Sequence, residues 1–199
     1  MYGFRGGGDG QSAFVTILKH QNHLKMGVRG LYRRQFLLEN HLFFLEKKGS
    51  WPEDEEWTVR VFYFAKKVIG NKNACYCYRY NRPGSEMSKL GTLSAAREHI
   101  NIYSGWMKLS YRPGADPEFA DVLRAEAGRR FFWCTLRYTG ILKGEELREF
   151  INAADGHTGM LSFFRSPKMH TRVFVRMIRI LGLRYSYPLI KFMMKLITK

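Results

Sequence analysis

The sequence predicts an α/β front part, α+β in its balance, running to about residue 90, and a helical part after it. Three observations carry this. Residues 74–80 alternate aromatic and small side chains, the period of a strand. Asn81-Arg82-Pro83-Gly84-Ser85 then breaks the chain in a loop. Beyond it Leu93, Ala96, Ile100, Tyr103 and Met107 recur at helical spacing. The division is 1–12 as a flexible lead-in, 13–90 as the mixed part and 91–199 as the helical part.

The elements follow in order. Gly6-Gly7-Gly8-Asp9-Gly10 is flexible, and no strand or Lys-Ser/Thr surrounds it to make a phosphate loop. A short helix is expected over 13–25, a strand over 27–32 and a short helix over 33–40. Residues 41–45 read as a strand or an extended segment. A helix opens near Pro52, where Glu53, Asp54, Glu55 and Glu56 complement the positive end of its dipole. Val61, Phe62, Phe64 and Ala65 are its buried face, and Val68 and Ile69 begin a strand. Asp116-Pro117-Glu118 starts a helix that Gly140 ends. Further helices are expected over 145–154, 169–181 and 188–199.

Composition narrows the class. The 33 Lys+Arg against 17 Asp+Glu leave a net charge of +16 over 199 residues. Such an excess calls for an acidic partner: nucleic acid, anionic lipid or a phosphorylated substrate. Cys75, Cys77 and Cys134 offer too few ligands for a metal and read as buried reduced thiols. The six histidines show no ligand spacing with carboxylates. The glycine-rich start lacks the apolar core of a signal peptide, and no apolar run has bilayer-spanning length.

Three motifs carry chemistry. The acidic run Pro52-Glu53-Asp54-Glu55-Glu56-Trp57 stands out in so basic a chain. Successive helical positions point about 100° apart, so its four carboxylates cannot share one task. Taken alone, acids in a first helical turn serve the dipole; one that faces a cleft can act as a general base. The second motif is Tyr76-x-Tyr78-Arg79-x-x-Arg82-Pro83-Gly84-Ser85, arginines at a strand end that can clamp phosphate. The third, Tyr32-Arg33-Arg34-x-Phe36-Leu37-x-Glu39-Asn40-x-Leu42-Phe43-Phe44, pairs a basic step with an apolar wall.

In this order the three motifs resemble the bacterial family-2 glycosyltransferases, over roughly residues 28–90. The resemblance implies the acceptor-side, C-terminal half of a glycosyltransferase A-type catalytic domain. It implies an inverting, hexosyltransferase-like enzyme of cell-surface polysaccharide synthesis, taking a nucleotide-sugar donor and a glycan or lipid-linked acceptor. Asp54 falls on the family's general base, with Glu53 in support. Arg79, Arg82 and Ser85 fall on the donor diphosphate side, and Trp51 and Trp57 on the acceptor side. The family uses a divalent cation, Mg or Mn, held by an Asp-x-Asp motif, and this chain contains no Asp-x-Asp. The family's nucleotide-binding first half has no counterpart here, so the resemblance implies a partial chain.

The C-terminal helices are basic and apolar together. Arg172, Arg176 and Arg179 share a face, and Lys191, Lys195 and Lys199 repeat the pattern. That suits an anionic membrane surface. The alternative function is therefore a noncatalytic basic membrane-surface protein on the same scaffold. The expected location is cytoplasmic, peripheral at the inner face of the plasma membrane. Arg129-Arg130-Phe131-Phe132-Trp133 mixes basic and aromatic residues, but its aromatics read as a buried stripe, so nucleic acid is not an expected partner.

Overall fold

The computed structural model describes residues 7–20, 30–45, 53–70, 77 and 91–197, the last six by their backbone alone. Among them the chain is mostly helical with one small two-strand sheet, which is compatible with an α+β class. Strand β1, Gly7–Gly8, pairs antiparallel with β2, Val68–Ile69, with Gly7 opposite Ile69 and Gly8 opposite Val68. Helix α1 is Gly10–Lys19, α2 is Arg34–Glu39 and α3 is Glu53–Phe64. Then come α4, Leu93–Ser110, α5, Pro117–Ile141, and α6, Gly144–Asp155. A 3-10 helix, Thr158–Phe163, leads into α7, Met169–Ile197.

The helix starts are chemical. The Asp9 carboxylate accepts the Ser12 N–H at 3.0 Å and caps α1. Thr92 accepts from the Ala95 N–H to cap α4. Asp116 accepts from Glu118 and Phe119 to cap α5, with Pro117 in the first turn where no donor is missed. Helix α5 is the spine. Phe119, Leu123, Ala127, Phe131 and Tyr138 bury along it against α4, α6 and the 3-10 helix. Gly128 lets that 3-10 helix approach, because a Cβ there would collide with the Met160 carbonyl.

Several expectations give way. The lead-in is built into the fold from Gly7 onward. The Gln11 amide donates to the Gly114 carbonyl at 2.9 Å and accepts the Asp116 N–H at 2.6 Å, while the Gly10 N–H reaches the Ala65 carbonyl. The glycines Gly7 and Gly8 are themselves strand β1, and the Asp9 carboxylate, not a ligand, caps the helix that follows. Residues 30–33 form no strand: Tyr32 turns edge-on to Trp57, with ring centroids 4.7 Å apart. Helix α1 stops at Lys19 and α5 runs one residue past Gly140. The buried face of α3 is Trp57, Thr58, Val59, Val61 and Tyr63, whereas Phe62, Phe64 and Ala65 are half-buried.

The two expected C-terminal helices meet at Gly182, whose φ of 76° no L side chain holds easily. The Asp155 carboxylate accepts the Leu183 N–H there and caps the second arm, so that arm begins five residues before Pro188. The strand expected over 74–80 lies outside the described residues, apart from Cys77. A nucleotide-binding sheet is not among the described elements. Cys77 is exposed and Cys134 buried, so the thiols differ in environment.

Candidate functional site at the start of α3

The site is built where the first turn of α3 meets α5 and the chain after α2. Helix α2 ends in a Schellman turn. The Leu42 N–H donates to the Leu37 carbonyl at 2.9 Å and His41 N–H to Leu38, with His41 itself left-handed at φ 52°. This turn drives Leu42 inward. Its carbonyl then accepts the Trp57 indole N–H at 2.9 Å. Trp57 is only 3% exposed and packs with Leu42, Val61 and Tyr32. Phe44 stacks on the indole at 4.8 Å and stays 50% exposed, and Phe43 beside it is also open. Arg60 fixes the segment by donating to the Phe43 carbonyl at 2.7 Å.

The four acids separate by partner. Glu56 takes a two-pronged hydrogen bond from Arg60, one turn on, at 2.6 and 2.8 Å. Glu55 points to α5, where Arg130 donates to both its oxygens at 3.0 Å. Arg130 also donates to Glu126 at 2.7 Å, and Glu126 is gripped again by Arg129. Glu53 has an interaction of its own. The Asp54 side chain is half-buried, and its carboxylate accepts from the backbone N–H groups of Glu55 and Asp54.

Electrostatics sharpens this division. Burial pushes the Asp54 carboxyl above the usual range, with the backbone donors only partly opposing it. Burial also raises Glu55, against the opposing charge of Arg130. For Glu126 burial acts upward, but the hydrogen bonds and charges of Arg129 and Arg130 override it and hold the carboxyl below its usual value. Arg130, between two carboxylates, stays charged. Desolvation likewise pushes the neighbouring Tyr103 hydroxyl well up and the Cys134 thiol to about 12, so neither is a nucleophile at neutral pH.

Of the residues that the resemblance singles out, the structure places Asp54, Glu53 and Trp57 on one helix. Trp51, Arg79, Arg82 and Ser85 lie outside the described residues. Trp57 is sealed, and the ring that is open beside it is Phe44. The pattern of the sequence marked Phe44 only as apolar wall; its stacking on Trp57 depends on the turn at His41. The divalent cation expected of the resembled family finds no donor set in the acidic run, because Glu55 and Glu56 are turned to arginines. Among the described residues no three His, Cys, Asp or Glu converge as metal ligands.

Comparison with protein-family models, curated proteins and solved structures gave no match.

Proposed function

We propose that this chain is the acceptor-side half of an inverting, family-2-like glycosyltransferase of the A-type fold, with Asp54 as its general base. The observation that supports it is the sorting of the acidic run. Ion pairs hold Glu55 and Glu56, while Asp54 keeps a half-buried carboxylate of raised proton affinity. A base of that kind suits the reaction. The acceptor hydroxyl gives its proton to Asp54 as its oxygen attacks the anomeric carbon. The bond from that carbon to the diphosphate breaks, and its electron pair leaves with the nucleoside diphosphate. The charge of the leaving group falls to basic residues, for which Arg79 and Arg82 with Ser85 are the candidates from the ordered motifs.

Phe44 refines the acceptor side. It stacks on Trp57, which lies one turn along α3 from Asp54 and on the same side of the helix. An exposed ring so placed suits the apolar face of a sugar. Trp57 then acts through Phe44 rather than by contact. In the complete enzyme, Phe44→Ala is expected to raise the acceptor KM with little change in kcat. An unchanged acceptor KM contradicts this part of the reading.

A further inference from the structure

We infer that the outer face of α7 seats the protein on an anionic lipid surface. The inference rests on that face alone and holds whether or not the chain transfers sugar.

Between 156 and 199 the chain has nine Lys or Arg and no Asp or Glu. The last acid before this stretch, Asp155, is turned inward to cap Leu183. More than half of the net charge of +16 therefore sits in the final quarter of the chain. Helix α7 packs inward through Val175, Ile178, Leu183 and Ile190. Its opposite side is not simply polar. Met169, Val173, Arg176 and Ile180 follow at i, i+4, i+7 and i+11, one stripe of the helix. Met169 is 73% exposed and Ile180 79%. Arg172 and Arg179 flank the stripe, and the described residues offer no ion pair to either or to Arg176. Arg176, Arg179 and Ile180 line a shallow open concavity of about 380 Å³.

Aliphatic side chains beside arginines that have no ion pair among the described residues match an interface whose outer layer is anionic phosphate and whose inner layer is hydrocarbon. Nucleic acid leaves Met169, Val173 and Ile180 without a role, because base recognition there rests on aromatic stacking and polar groups. The helix lies on the bilayer rather than through it: no helix of the described residues is long and apolar enough to cross.

The test is co-sedimentation of the whole chain with vesicles of phosphatidylcholine alone and of phosphatidylcholine with phosphatidylglycerol. Binding to the anionic vesicles is expected to be stronger by about tenfold or more. It should weaken as salt rises from about 0.1 to about 1 M and the Debye length contracts from about 10 to about 3 Å. Ile180→Glu, and separately the triple change Arg172→Gln, Arg176→Gln and Arg179→Gln, should each abolish it while circular dichroism and melting temperature stay unchanged. Equal binding to neutral and anionic vesicles overturns the inference, as does no binding to either. Duplex RNA or DNA binding without vesicle binding overturns it in favour of a nucleic-acid surface. Self-association that Ile180→Glu dissolves, again without vesicle binding, overturns it in favour of a second copy of the chain.

Discussion

At the scale of residues, Asp54 and Glu55 are both raised by burial, and they differ in that Arg130 pairs with Glu55 while backbone N–H groups serve Asp54. A carboxyl whose folded pKa lies above its unfolded one is easier to ionise in the unfolded chain. Its burial therefore costs stability at neutral pH, and the cost is relieved as pH falls. Asp54→Asn should accordingly melt no lower than the wild type at neutral pH, and calorimetry would show it. If Asp54 is the base of the proposed transfer, the same raised affinity sets that reaction's pH dependence. Because the base must be ionised, kcat/KM should fall on the acid side at a pH above the range of an ordinary carboxylate. Little of this could be read from the string Glu-Asp-Glu-Glu. Four acids at a helix start look alike until Arg60 and Arg130 take two of them, and Arg130 lies 75 positions from Glu55.

At the scale of elements, the helices were legible where a local signal exists. Asp116-Pro117-Glu118 is a cap, a first-turn proline and a dipole partner in three residues, and α5 starts there. Residues 169–181 form a helical arm that ends at Gly182. What local pattern did not give is order obtained from distant partners. The glycine-rich start is held by Gln11 across to the loop before α5, about a hundred residues on. The turn after α2 uses a histidine where a glycine is usual, so its left-handed residue carries no sequence flag. His41→Gly should relieve that strain and stabilise the fold by about 1 kcal/mol in a denaturant titration. Gly182→Ala works in the opposite direction. Its Cβ meets the Asp155 carboxylate at 2.9 Å and its φ becomes unfavourable, a loss of about 1–3 kcal/mol by the same measurement.

At the scale of the whole molecule, one buried ionic chain joins the proposed catalytic helix to the helical part: Glu55 to Arg130, Arg130 to Glu126, and Glu126 to Arg129. These ion pairs tie α3, before the boundary expected near residue 90, to α5 after it. Removing the central cation leaves two buried carboxylates opposed by less than they need. Arg130→Met should destabilise by about 3–5 kcal/mol in chemical unfolding. The pH dependence has a definite sign. Glu126 has a folded pKa below its unfolded value, so its contribution is present above the unfolded pKa and is lost as pH falls through the folded one. Melting temperature should fall across that acid window, and Glu126→Gln should flatten the fall. The helical second part was legible from periodicity, and the small two-strand sheet of the described residues is compatible with the α+β balance expected. The short helix expected over 33–40 is α2, whereas the strand expected over 27–32 is absent from its described residues 30–32, because Tyr32 packs on Trp57 of the distant helix α3 instead of pairing in a sheet.

The most direct measurement of the central claim is transfer itself. The protein that contains this chain would be given a panel of nucleotide-sugars, with nucleoside diphosphate release followed for the wild type, Asp54→Asn and Glu56→Gln. The account predicts a loss of at least about a hundredfold in kcat for Asp54→Asn with the fold intact, and turnover near the wild type for Glu56→Gln. Turnover by Asp54→Asn at the wild-type rate would contradict it.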